Sequence, residues 1–107
     1  MLWSNDALRA DRAAFLAAAI AAIAATLDVA NLSDDPSPRS NGRLLAAVRQ
    51  LAELQRECLV ANDRLIQRCE ETGVDHESLV VLHQGRAELA LRLQNALFDV
   101  EELTSDM

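Results

Sequence analysis

Apolar residues recur along most of the chain at alternating steps of three and four, the spacing that places them on one face of an α-helix. The pattern breaks twice. Both prolines fall among Ser, Asp and Asn residues over about 32–40, which predicts a linker. Gly73 marks the second break, as expected of a glycine that ends a helix. The sequence therefore predicts an all-α protein with helices over about 4–31, 41–72 and 75–104.

The shortness of the second break decides the topology. Only a few residues separate the second and third predicted helices, so these two must fold back on each other as an antiparallel pair. At 107 residues the chain has the size of one domain. We predict a single helical domain over 1–107, built as three long antiparallel helices in an up-down-up bundle, and the sequence leaves open whether dimerisation completes it.

The predicted helix ends carry suitable capping residues. Ser4 is a good N-cap for the first helix, and Trp3 and Leu8 have the spacing of a hydrophobic staple across it. Asp75 is a good N-cap for the third helix. These residues support helix starts at about 4 and 75.

The first predicted helix is rich in alanine and carries one stripe of larger apolar residues. The stripe consists of Leu16, Ile20, Ile23 and Leu27, at steps of four, three and four. Alanines occupy the positions around it, and such small side chains permit a close approach of another helix. We therefore expect this helix to have a tightly packed face.

The same helix contains an apolar run from Ala13 to Leu27. The run is shorter than the roughly 20 residues needed to span a bilayer, and alanine is only weakly apolar. Acidic residues stand among the arginines before it, unlike the positive start of a signal peptide. We predict a soluble, cytoplasmic protein without membrane insertion.

The second predicted helix has the widest apolar face, made of two neighbouring rows with heptad spacing. The rows are Leu44, Val48, Leu51, Gln55, Cys58, Asn62, Leu65 and Cys69, and Leu45, Ala52, Leu59 and Ile66. A face this wide is typical of a central helix that contacts two neighbours. Gln55 and Asn62 either fix the register as buried polar groups or lie half-solvated at the edge of the face.

The third predicted helix carries two apolar stripes. The first consists of Leu79, Leu82, Leu89, Leu93, Ala96, Val100 and Leu103. The second consists of Val80, Ala87, Leu91 and Phe98, more than about 90° around the helix from the first. Either this chain, a second copy or another protein covers the second stripe, and we predict it to be the partner-binding surface. Gly85 in the same helix is expected to mark a close helix crossing.

Charge and composition limit the possible partners. The net charge is −7, and all ten basic residues are arginine. An acidic chain with only three aromatic residues lacks the basic surface by which proteins bind nucleic acids. Such a chain is equally unsuited to an anionic membrane surface. We expect the partner to be another protein or a second copy of this chain.

No arrangement of reactive residues predicts catalysis. Cys58 and Cys69 lie on one helix about 16 Å apart, too far for a disulfide, so we expect buried reduced thiols. His76 and His83 are two turns apart, too far to share a metal ion. The sequence predicts no catalytic, cofactor-binding or metal-binding residue, no small-molecule substrate and no enzymatic activity.

From Leu54 the chain reads LQRECLVANDRLIQRCEE. Asn62, Arg64, Leu65 and Ile66 in this segment resemble a helix of the flagellar export chaperones of the FlgN and FliT kind, in which an Asn-containing Arg-Leu-Ile run stands among leucines. The small, acidic and helical build is also similar to that class and to the small chaperones of type III secretion. The resemblance implies a bacterial, cytoplasmic chaperone that shields an amphipathic helix of a secreted or flagellar subunit.

Two other functions are compatible with the same residues. One is a structural or regulatory homodimer, in which the second stripe of the third helix pairs with its copy. The other is a small helical enzyme, which would need a polar pocket with converging charges.

Overall fold

The computed structural model describes residues 6–34, 40–73 and 76–105. Within these ranges the chain forms three α-helices and no strand: α1 (Asp6–Ser33), α2 (Ser40–Thr72) and α3 (His76–Ser105). The prediction of an all-α, three-helix bundle is confirmed, and the predicted helix ends lie within about two residues of these bounds. The predicted caps Trp3, Ser4 and Asp75 lie outside the described residues.

The central helix is α2. It packs against α1 along one side and against α3 along the other, whereas α1 and α3 make few direct contacts. Both rows of its predicted face are buried or half-buried. This confirms the wide apolar face of α2 and its position between two neighbours. The molecule is accordingly elongated, with extents of 55 × 19 × 16 Å.

Two interhelical ion pairs flank the wide face of α2. Arg68 donates from Nε to Asp11 of α1 at 2.9 Å, and the Asp11 carboxylate is largely shielded from solvent. On the other side, Arg86 of α3 donates to both carboxylate oxygens of Asp63, at 2.6 and 3.4 Å. Each pair joins α2 to one neighbour, so the pairs fix which side of α2 each neighbour occupies.

The face of α1 that packs on α2 does not include its stripe of larger apolar residues. Leu8, Ala22 and Ala25 are buried there, while Leu16, Ile20, Ile23 and Leu27 are between 47% and 68% exposed. The stripe of larger apolar residues is therefore not the packed face of α1, and the expected close approach is made by alanines. α1 packs through a second row with heptad spacing, whose alanines let its backbone approach α2 closely. That row consists of Leu8, Asp11, Phe15, Ala18, Ala22, Ala25, Val29 and Leu32, all buried or half-buried.

All three helices meet near the turn between α2 and α3. Leu8, Leu65 and Cys69 form a buried cluster there, and Phe15, Leu79 and Leu82 pack against it. Gly73 ends α2 with a φ of 73°, the left-handed conformation expected of a glycine after the last helical residue. Gly85 does not mark a close crossing, because a Cβ atom added to it would meet nothing within 4 Å.

The packed face of α1 can be tested with two alanine-to-leucine changes. Ala22→Leu places three extra carbons in the contact with α2 and is expected to lower the free energy of unfolding by about 1–3 kcal/mol. Ala14→Leu adds the same atoms at an exposed position and is expected to change it by less than about 0.5 kcal/mol. Urea unfolding followed by circular dichroism measures both. Equal effects would contradict the assigned face.

Candidate protein-binding surfaces

The second stripe of α3, called here the outer stripe, faces away from α2. Leu89 and Ala96 are buried against α2, and the outer stripe lies about 180° around the helix from them. Its four residues, Val80, Ala87, Leu91 and Phe98, are all exposed. More than half of the Leu91 and Phe98 side chains is open to solvent. Neither α1 nor α2 covers this stripe.

The apolar stripe of α1 is a second exposed surface. Leu16, Ile20, Ile23 and Leu27 project towards solvent, and all but Ile20 also lie at the edge of the space between α1 and α3. The sequence did contain a signal for this. Leu8, Phe15, Ala22 and Val29 form a competing row at steps of seven, and both rows cannot face the same neighbour.

A groove runs between α1 and α3, and α2 forms its floor. Its deeper part has a volume of about 490 Å³, with Leu51, Gln55 and Cys58 at the bottom. The α1 wall is apolar and includes Ile23 and Leu27. The α3 wall is polar and consists of Arg92, Asn95 and Asp99 beside Leu89 and Ala96. The groove exists because α1 and α3 both pack on α2 and make few contacts with each other beyond the cluster near the turn.

A second depression lies nearer to the turn between α2 and α3. It has a volume of about 440 Å³, and Phe15 and Leu16 of α1 face Val81 and Leu82 of α3 across it. The open space around Gly85 lies along α3 between the two depressions. On the α1 side, mostly apolar side chains therefore border both depressions, whereas the α3 side is apolar only near the turn.

Two buried polar side chains stand in the apolar face of α2. Gln55 is 5% exposed and Asn62 is 1% exposed, so both are buried and not half-solvated at its edge. Asn62 donates from Nδ2 to the carbonyl oxygen of Leu82 in α3, at 3.4 Å. Gln55 Oε1 has no hydrogen-bond partner among the residues that the structure describes. Of the two, Asn62 therefore ties the register of α3 to α2, whereas Gln55 costs stability within one chain.

Replacing Gln55 tests whether its buried amide oxygen lacks a hydrogen-bond partner. Gln55→Met keeps the length of the side chain and removes the buried acceptor, so it is expected to raise the free energy of unfolding by about 1 kcal/mol. Asn62→Met removes the bond to Leu82 and is expected to lower it by about 1 kcal/mol. Urea titration of both variants measures the difference. Destabilisation by Gln55→Met would show that the amide has a partner.

The two cysteines are buried and unpaired, as the sequence predicted. Burial raises the pKa of the Cys58 thiol, an effect that nearby Arg92 partly offsets. Burial, followed by the Asp11 carboxylate, raises the pKa of the Cys69 thiol. A raised thiol pKa leaves little thiolate at neutral pH, so neither cysteine has the environment of a reactive nucleophile.

The buried thiols should be protected from chemical modification in the folded protein. At neutral pH we expect both to react with a disulfide reagent at least about tenfold more slowly than a free thiol. Because the pKa values of both thiols are raised, the modification rate should begin to increase at a higher pH than it does for an ordinary thiol. Unfolding in urea should abolish the protection. Rapid modification of the native protein near pH 7 would contradict the burial of Cys58 and Cys69.

The histidines and carboxylates form no metal centre in the described ranges. No group of three or more His, Cys, Asp or Glu side chains there is placed to hold a metal ion. His83 lies 3.8 Å from a carboxylate oxygen of Glu70, and both side chains are exposed. His76 is exposed at the start of α3.

The length and composition of α1 bear on the location of the protein. By these measures α1 could cross a membrane, and only 11% of its most apolar 18-residue window is buried. The core helix of a soluble protein and a signal sequence can have the same length and composition. The cytoplasmic location predicted from the sequence stays a prediction.

Comparison of the chain with protein-family models, with curated proteins and with solved structures gives no match. The resemblance to export chaperones thus rests on the segment from Leu54 and on the small, acidic and helical build of the chain. What bears most on function is the chemistry of the exposed surfaces of α1 and α3.

Proposed function

We propose that this protein is a helix-binding module that holds an amphipathic helix of another protein against the outer stripe of α3. One observation carries the proposal. Leu91 and Phe98 are 56% and 58% exposed on a helix whose opposite face is already packed on α2. A helix that is apolar on two sides needs a further contact to bury its second side, and none of the described residues of this chain provides it.

The spacing of the outer stripe favours a helical partner. Single exposed leucines are common on protein surfaces and need no explanation. The outer stripe differs because Val80, Ala87, Leu91 and Phe98 follow one another on one side of α3, which runs from His76 to Ser105. An elongated apolar strip of this kind matches the i, i+3, i+4, i+7 anchors of an amphipathic helix.

The charges on α3 favour a basic partner helix. α3 carries five acidic side chains and two arginines. Glu101 and Glu102 border a shallow depression beside Phe98, at the C-terminal end of the outer stripe. A client helix with arginine or lysine residues next to its apolar face would place them close to these carboxylates.

A chaperone role fits this surface. A bound client helix would be shielded from aggregation by the outer stripe, while the net charge of −7 keeps the complex soluble. The resemblance of the segment from Leu54 to flagellar export chaperones supports the same role. The client would then be a secreted or flagellar subunit whose apolar helix must stay unassembled until export.

The proposal predicts binding of a designed peptide. A synthetic amphipathic helix with leucine anchors and flanking arginines should bind with micromolar affinity, because it covers Leu91 and Phe98. Leu91→Asp and Phe98→Asp should each weaken that binding at least about tenfold, by placing a charge in the apolar contact. Fluorescence anisotropy of the labelled peptide measures the affinity.

Two controls separate loss of binding from loss of fold. Val60→Asp makes a comparable change at an exposed valine of α2 and should leave peptide affinity unchanged. The same peptide with glutamates in place of arginines should bind more weakly. Equal binding by all variants would show that the outer stripe is not the docking surface, and altered circular dichroism of Leu91→Asp would show that Leu91 supports the fold instead.

A further inference from the structure

The apolar residues on the exposed side of α1 occur in the same order whether the helix is read from its N-terminal or its C-terminal end. Its residues follow one another as Arg, Ala, Leu, Ile, Ile, Leu, Ala and Asp, at steps that alternate between four and three. Such steps form the seam of a coiled coil. The α1 seam consists of Arg9, Ala13, Leu16, Ile20, Ile23, Leu27 and Ala30 on α1 and of Asp34 in the turn directly after it, all of them exposed.

We propose that the α1 seam binds a second copy of this chain, with the two α1 helices antiparallel about a two-fold axis between Ile20 and Ile23. Isoleucine then faces isoleucine, leucine faces leucine and alanine faces alanine in successive layers. A two-fold interface requires a self-complementary surface, and the symmetry of the seam provides it. In the homodimer that the sequence left as an alternative, the interface is the outer stripe of α3. In the dimer proposed here, the interface is the α1 seam.

The ends of the seam favour the antiparallel direction. Antiparallel pairing brings Arg9 of each chain to Asp34 of the other, so that opposite charges meet at both ends. Parallel pairing in register would place Arg9 against Arg9 and Asp34 against Asp34. Like charges that face each other across an interface are unfavourable. The end charges therefore match a second antiparallel copy.

The positions beside the seam are small and mostly uncharged. Ala17 and Ala24 lie on one side, and Ala19 and Thr26 lie on the other. The distance between packed helices depends on the side chains at the contact, so these residues permit a close approach. Charged residues beside a coiled-coil seam determine which helix it pairs with, and these four residues are uncharged, so they do not oppose pairing of α1 with its own copy.

The dimer leaves the client surface uncovered. The α1 seam and the outer stripe lie on different helices, and Leu91 and Phe98 face away from α2. A dimer formed through α1 would therefore present two outer stripes to client helices. Self-association through α1 does not depend on the function proposed for α3.

A second copy accounts for the α1 seam better than a membrane does. α1 is attached to α2 by the buried side chains of Leu8, Ala22 and Ala25 and by the ion pair of Asp11 with Arg68. α2 carries charged residues along its whole length, which a bilayer interior would exclude. As long as α1 stays packed on α2, only its exposed side is available, and that side is self-complementary.

Sedimentation equilibrium of the full chain at several micromolar concentrations tests the proposal. We expect a reversible monomer–dimer equilibrium. Ile20→Asp should raise the dissociation constant at least about tenfold, since it places a carboxylate in the two central layers. Val60→Asp and Leu91→Asp change exposed apolar residues on other helices, so both should leave the constant unchanged. Circular dichroism should be the same for all variants.

Charge reversal at the ends gives a test that leaves the apolar layers intact. Arg9→Asp and Asp34→Arg should each weaken the dimer, because each places like charges together at both ends. The double variant Arg9→Asp/Asp34→Arg should restore the affinity. Equal weakening by the double variant would overturn the antiparallel pairing.

Three further results would overturn the proposal. The protein could remain monomeric at all concentrations, or Leu91→Asp could abolish a dimer that Ile20→Asp leaves intact. Co-flotation of the wild-type protein with neutral phosphatidylcholine vesicles would instead assign α1 to a membrane. The monomeric Ile20→Asp variant should still bind the arginine-flanked peptide, so failure of the dimer and failure of the α3 docking surface can be told apart.

Discussion

The wide apolar face of α2 is the feature on which the rest of the structure depends. α1 and α3 both bury their side chains against it, and neither helix has a comparable contact with the other. Apolar burial stabilises the fold roughly in proportion to the area removed from water, so most of the stability is concentrated on α2. The same arrangement leaves α1 and α3 with apolar surface that the described residues of this chain do not bury. Both proposed interfaces arise from this surplus.

Alanine explains how α1 can be apolar on two sides and still have one defined face against α2. Ala22 and Ala25 allow close contact between the helix backbones, and Leu8 contributes a large buried side chain at the end where all three helices meet. The larger residues at Ile20 and Ile23 are then directed away from α2. On α3 the division is simpler, because leucines face α2 and the outer stripe faces solvent. Asn62 and the Arg86–Asp63 pair hold α3 in register on α2.

The helices and the central place of α2 could be predicted from the sequence because each depends on local pattern. Pro36, Pro38 and Gly73 mark the breaks, and the two rows of α2 can face only two neighbours. The packed face of α1 could not be predicted in the same way. Two rows with helical spacing compete there, and hydrophobicity alone favours Leu16 and Ile20 over Ala22 and Ala25. Which of the two rows packs on α2 depends on how closely the backbones of α1 and α2 approach, and the spacing of apolar residues does not determine that distance. Similarly, the pattern could locate the outer stripe on α3 but could not show whether another helix of this chain covers it.

The α1 seam faces away from α2, and we propose that it pairs with the α1 seam of a second, antiparallel copy. The distance between nitroxide labels attached at Ala10→Cys, measured by pulsed electron resonance, tests it most directly. Ala10 is exposed at one end of α1, whereas the native thiols are buried and should stay unlabelled. An antiparallel pair centred between Ile20 and Ile23 places the two labels about 35 Å apart along the helix axis. A parallel pair would keep them within about 20 Å, the width of two packed helices, and that distance or the absence of any dimer distance would contradict the account.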